Sequence, residues 1–225
     1  MTGKTHRVGG VACCLLGYSI LESKGLLVNS VNPLLQLTVM YPFSIYGSIV
    51  SDLDHHWDSC PSKDFVSFGI NKVLHLTTKV RNSLCKAIPP LKLFDAKHRS
   101  WQTHSDLFLF FFLYVMYRML GTAQGDVSAN QVIAMLVFFG LTLGVISHMF
   151  LDMLTPEGIW SILFVVIRNF TGLKLPKKVH LVPKSGYFAT DGPWERIVRC
   201  FLWAFCVVLV IRLLYLLSPY KFVFS

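Results

Sequence analysis

Two carboxylates and two imidazoles crowd into residues 52–56, where Asp52, Asp54, His55 and His56 follow directly on the apolar run 40–50. Ionisable groups at membrane depth are costly and mark functional sites by default. Asp oxygens and His nitrogens are also ligands that zinc and other divalent transition ions accept. The stretch therefore reads as half of a metal centre or as a polar flank that ends a helix. A second pair, His148 and Asp152, stands four apart in another apolar run. On a helix the two share a face, one turn apart. One ion can then take both, or take one while the other orients it. A third group, residues 98–104, offers His98, Arg99, Ser100 and His104: two imidazoles, a guanidinium and a hydroxyl. His6 and Glu195 each stand just before an apolar run.

The elements that must position these groups are membrane helices. The chain has 225 residues, 53% hydrophobic and only 15% charged, with a mean hydropathy of +0.54. A soluble domain carries about one-quarter charged residues. Five apolar segments are long enough to read as spans: 8–28, 34–50 with a kink at Pro42, 106–120, 131–151 and 197–217. Residues 159–167 are too short to cross and read as an interfacial or re-entrant helix. The six cysteines form no CxxC pair and read as small core residues. The net charge of +9 points first to loops that face anionic lipid rather than to nucleic acid.

Lys and Arg orient the spans. Eight lie in residues 51–104 and six in 153–196, whereas the turns 29–33 and 121–130 hold none. The positive-inside rule then puts the N-terminus and both long segments in the cytoplasm. On that topology His6, Asp52, Asp54, His55, His98, Arg99, His104, His148, Asp152 and Glu195 all sit at cytoplasmic ends of helices. His148 and Asp152 point into the bundle if Phe138, Phe139 and Leu143 face outward. His75 and His180 read as structural. Residues 62–84 read as one amphipathic helix, capped by Ser62, with Lys63, Lys72, Lys79 and Arg81 opposite Phe65, Val66, Ile70, Val73, Leu74 and Val80. Such a helix belongs in the membrane interface.

Four stretches in order resemble the YdjM-like family of bacterial and phage membrane proteins: Thr5-His6; Ser51 to His55; His98-Arg99-Ser100-Trp101-Gln102-Thr103-His104-Ser105; and Ser147-His148-Met149-Phe150-Leu151-Asp152 continuing to Gly158. That family is described as metal-dependent hydrolases. It is distantly similar to the zinc-dependent phospholipase C and single-strand nuclease group, helical enzymes whose zinc cluster is held by His and Asp. The resemblance implies phosphoester chemistry by fold-level analogy. The insert 57–97 departs from the family pattern.

The expectation is an all-α polytopic bundle forming one domain over residues 1–225, with about five spans, an amphipathic insert at 57–97 and a metal site facing the cytoplasm. His6, Asp52, Asp54, His55, His98, His104, His148 and Asp152 are the candidate ligands. Eight exceed one tetrahedral site, which argues for two or more ions, Zn²⁺ or Mn²⁺. Such a centre lowers the pKa of a bound water and clamps the oxygens of a displacement. Arg99 would hold phosphate oxygens bidentately. Either Asp52 or Asp54 would act as base instead of ligand, and Glu195 as a supporting group in catalysis. The substrate class is a phosphoester of a lipid or amphiphile in the inner membrane. Two other classes stay open: a regulatory or binding protein with a structural metal, which a closed ligand set would favour, and a transporter, which the one-sided placement of polar groups argues against.

Overall fold

A computed structural model describes residues 1–26, 31–54, 57–87, 103–122, 128–183, 186 and 188–217. The chain is mostly helical, in the order α1 (Gly3–Ser23), α2 (Pro33–Val50), α3 (Phe65–Ala87), α4 (Asp106–Thr122), α5 (Ala129–Met153), α6 (Ile162–Thr171) and α7 (Pro193–Leu217). Two 3-10 turns, Ser51–Asp54 and Trp57–Ser59, follow α2, and a two-residue antiparallel pair joins β1 (Ile159–Trp160) to β2 (Lys178–Val179).

Local chemistry sets the helix ends. Pro33 opens α2 behind the Asn32 side chain, which accepts from the Leu34 N–H. Ser128 and Gln131 form a reciprocal capping box on α5. Ser161 caps α6, and Gly172, at φ 72°, ends it in the left-handed conformation. α1 stops at Ser23, short of the expected residue 28, with Gly25 at φ 64° just beyond. Helix α2 continues through Pro42.

The core joins four helices. Val11, Leu15 and Tyr18 of α1 pack with Met40 of α2, Leu136 and Phe139 of α5, and Leu209 and Leu213 of α7. Phe139 and Leu143 are buried, which corrects the expectation that this side of α5 faces outward: α5 is the central helix and has little outer face. Two-thirds (67%) of its apolar window is buried, against 17% of that in α7. Phe201, Ile211 and Leu214 of α7 and Phe110, Phe111 and Tyr117 of α4 are exposed. Apolar surface on this scale needs a hydrocarbon solvent or a partner.

Among the described residues, three helices are long and apolar enough to cross a membrane: Pro33–Asp54, Ala129–Met153 and Pro193–Leu216. Of the other two expected spans, α4 is 17 residues long, and α1 carries Lys4, Arg7 and Glu22 within its 21 residues.

Helix α3 forms where the amphipathic pattern placed it, with two differences. Its cap is Asp64, whose Oδ1 accepts from the Ser67 N–H at 2.8 Å. Ser62 instead donates to Asp64. With the Ser67 N–H, this bond holds the Asp64 carboxyl down at about 2. Arg81, expected on the basic outer face, is buried. The inner face of α3 is polar. Asn71 Nδ2 donates to the Leu53 carbonyl at 2.6 Å, and Ser67 bonds Tyr46. The apolar side chains Phe65, Val73 and Leu76 point outward.

Candidate metal centre

The site is built on backbone approach. Gly47 of α2 and Gly140 and Gly144 of α5 meet the facing helix directly. A Cβ on Gly144 would lie 2.2 Å from the Ser44 carbonyl oxygen, one on Gly140 2.4 Å from that of Met40, and one on Gly47 2.3 Å from that of Leu141. Only hydrogen fits there. Gly140 and Gly144 form the small-xxx-small pattern by which membrane helices approach closely. Helix α1 joins through Gly10, whose Cβ would meet Ser44 and Ser48, and whose carbonyl accepts from Ser44 Oγ at 2.9 Å. This seam carries α1, α2 and α5 to one end, where His6, Asp52, His148 and Asp152 lie.

His104 arrives from the other side, just before α4. The Trp160 N–H donates to the His104 carbonyl at 2.7 Å. Asp106 accepts from Ser161 Oγ and from the Ile162 N–H, at 2.8 and 2.9 Å. These bonds tie the start of α4 to β1 and α6. At the end of α5, Thr155 Oγ1 donates to the Asp152 carbonyl at 2.8 Å.

Four ligand atoms converge. His104 Nε2 lies 3.2 Å from His148 Nε2, 3.4 Å from Asp52 Oδ1 and 3.5 Å from Asp152 Oδ2. His148 Nε2 lies 3.8 Å from Asp52 Oδ1 and 3.4 Å from Asp152 Oδ2. Zinc bonds of about 2.0–2.2 Å arranged tetrahedrally put neighbouring ligand atoms about 3.4 Å apart. These five separations, 3.2–3.8 Å, lie close to that spacing. All four residues are buried.

The rings are held from behind as well. His148 Nδ1 sits 2.7 Å from the Ser48 carbonyl. A carbonyl oxygen only accepts, so Nδ1–H donates to it and Nε2 faces the carboxylates. His104 Nδ1 lies 3.0 Å from Thr103 Oγ1, and Thr103 Oγ1 donates to Asp54 Oδ2 at 2.9 Å. Such outer partners fix tautomer and ring orientation in metal sites. The buried N-terminal ammonium of Met1 lies 3.8 Å from Asp152 Oδ1.

His6 extends the centre. Its ring stacks on that of His148, with centroids 4.1 Å apart, and its Nε2 is 3.5 Å from Asp152 Oδ1. Asp152 thus turns Oδ2 to the four-atom centre and Oδ1 to His6, the posture of a bridging carboxylate. His6 is fully buried, and neither ring nitrogen has a hydrogen-bond partner among the described residues. A buried imidazole so placed needs a ligand. His6, His148 and Asp152, and separately Asp52, His104 and His148, each form a metal-competent set. Because His148 offers only Nε2, it serves one ion.

The other expected site residues fall elsewhere. Asp54 reaches the centre through Thr103. Glu195 is buried, with Oε1 accepting from Thr2 N, Thr2 Oγ1 and Thr5 Oγ1 at 2.5–2.6 Å and Oε2 from Asp191 N at 2.6 Å. It ties the start of α1 to α7. His180 contacts the Pro156 carbonyl at 3.2 Å. His55, His98 and Arg99 lie outside the described residues. Three contributors escaped sequence reasoning: the Ser48 carbonyl, Thr103, and the glycines 140 and 144. Only the glycines left a sequence signal.

Fold and site together define a helical membrane protein with a buried His/Asp centre suited to a metal ion. The chain belongs to the YdjM inner membrane protein family, whose model matches residues 1–218. Comparison with curated proteins and with solved structures returned no match.

Proposed function

We propose that this protein is a membrane-bound, metal-dependent hydrolase of a phosphoester in a lipid or amphiphile. The observation that carries this reading is the buried cluster of His104, His148, Asp52 and Asp152 with His6 beside it, in which Asp52, His104 and His148, and His6, His148 and Asp152, each form a metal-competent set. These residues would hold Zn²⁺ or Mn²⁺, with Asp152 and His6 offering a second position. A divalent ion held there supplies charge stabilisation and a water nucleophile at neutral pH. The chain's own residues do the rest. Ser48 and Thr103 hold the two imidazoles from behind. Asp52, at 6% exposure the least buried of the four, lines an open pocket and is the group placed to accept a proton. Arg99 is expected to grip phosphate oxygens. The test pairs elemental analysis with hydrolysis of a soluble phosphoester by purified protein. Bound zinc or manganese is expected, with activity lost on chelation and restored by the ion. Protein that binds no divalent metal would end this reading.

A second reading has its own support. The ligand groups are buried, and protein ligands that fill every position around an ion make a closed set, the mark of structural rather than catalytic zinc. It describes a regulatory or binding membrane protein, and metal-loaded protein without hydrolysis of any phosphoester would favour it.

The five-span topology, with the site toward the cytoplasm of the inner membrane, rests on the Lys/Arg asymmetry. The outward Phe65, Val73 and Leu76 of α3 fit an interfacial helix. Single-cysteine labelling in intact cells tests both. Ser128→Cys should react with an impermeant reagent from outside and Thr190→Cys only after lysis, while Val73→Cys should stay shielded until detergent is added. Outside labelling at Thr190 would overturn the cytoplasmic placement.

A further inference from the structure

Beside the metal centre lies a pocket of about 600 Å³, with Asp52 in its wall, a volume in the range of small-molecule sites. Three cations line it from two helices: Lys4 and Arg7 on α1 and Arg199 on α7. Arg7 Nη2 donates to the Pro61 carbonyl at 2.6 Å, which fixes the guanidinium at the rim. Two carboxylates also line the pocket, Asp52 and Asp191. Asp52 faces the imidazoles. Among the described residues no carboxylate lies within ion-pair distance of Lys4, Arg7 or Arg199. The first turn of α1, at Gly3 and Lys4, borders the same space, and the leading N–H groups of a helix have no intrahelical partner and favour an anion. Like charges gathered in one pocket repel one another, and a bound anion relieves that repulsion.

We propose that Lys4, Arg7 and Arg199 form an anion subsite that receives a terminal, doubly charged phosphate and delivers it to the metal centre through the Asp52 wall. The proposal rests on the hydrolase reading for its role but not for its binding chemistry. Guanidinium groups suit phosphate because they present planar, paired donors. Three cations match a phosphomonoester better than a zwitterionic phosphodiester, whose own ammonium group would be repelled. The substrate class narrows accordingly to a phosphomonoester, from a lipid such as phosphatidic acid or from a soluble phosphate ester.

The experiment uses the purified full-length chain in detergent, both stripped by chelator and loaded with zinc, and inorganic phosphate as the probe in calorimetric titration. Phosphate is expected to bind the stripped protein. Arg199→Gln and Arg7→Gln should each weaken it by about tenfold or more, the loss expected for a hydrogen bond to a charged group, while their zinc content stays at the wild-type level. Arg199→Gln makes the claim independent of the Arg7–Pro61 contact, should that variant fold poorly. Displacement by glycerol phosphate identifies a soluble source and displacement by phosphatidic acid bilayers a lipid source. Displacement by neither, or equally well by phosphatidylcholine, overturns the subsite. So does phosphate binding confined to zinc-loaded protein and equal in wild type and variants, a result that leaves the hydrolase reading intact. Phosphate binding that needs the arginines in a protein without hydrolytic activity keeps the subsite and removes the hydrolase.

Discussion

Asp152→Asn is expected to leave the protein folded and membrane-inserted, with metal affinity lowered by more than about 100-fold and phosphoester hydrolysis abolished. Losing a group that only orients a ligand costs about 10–100-fold, and Asp152 does more than orient. Its Oδ2 faces His104 and His148, and its Oδ1 faces His6. The amide keeps volume and shape, so packing is preserved. It removes the charge, and whichever way it turns, an NH₂ points at an imidazole Nε2. That NH₂ offers an ion neither a charge nor a lone pair. Bound metal in the wild type should also fall on acidification, because protons compete for the same nitrogens and oxygens. The check is zinc content and affinity by competition with a chromophoric chelator, beside melting temperature and turnover. Unchanged metal and activity in Asp152→Asn would remove this residue from the centre. Lost metal with an equally lowered melting temperature in stripped protein would show a packing role instead.

How far the sequence carries is seen in the same residues. The (i, i+4) spacing of His148 and Asp152 gives their shared face directly, because helix periodicity is local. Their meeting with His6, Asp52 and His104 follows from counting spans and basic loops, which brings distant segments to one membrane face without any knowledge of packing. What stays hidden depends on backbone. The Ser48 carbonyl that orients the His148 ring is a group every residue has, so no side-chain type announces it. Thr103 sits between His104 and Asp54 only because the segment before α4 folds back against β1. Glu195 precedes a span, and that position alone sets it among the catalytic candidates. Its four hydrogen bonds to Thr2, Thr5 and Asp191 arise from the docking of α1 on α7, which no spacing encodes. Arg81 of α3 departs from the pattern for a related reason: the buried face holds Ser67 and Asn71 and is polar, so a basic residue can lie on it and hydrophobic periodicity does not mark it.

Gly144→Ala is expected to lower both melting temperature and metal affinity, although the residue touches no ligand. The new methyl group would stand 2.2 Å from the Ser44 carbonyl oxygen and 2.5 Å from the Ser48 nitrogen. Both are backbone atoms of α2, so no side chain can turn aside. Helices α2 and α5 must part by about 1 Å to restore van der Waals contact, and overpacking of this kind costs about 1–3 kcal/mol. The same movement carries the Ser48 carbonyl away from His148 Nδ1, now 2.7 Å distant, and stretches that bond beyond hydrogen-bonding range. The ring then loses its hydrogen-bonded orientation, and its Nε2 is no longer held against Asp52, His104 and Asp152. A fall of about 10–100-fold in metal affinity follows, the scale of losing an orienting partner. Leu136→Ala, a buried core residue about two turns away on the same helix, serves as the control for a general loss of packing: it should lower the melting temperature with little change in metal affinity. Gly144→Ala protein that melts lower but holds zinc as tightly as wild type would uncouple the helix seam from the centre.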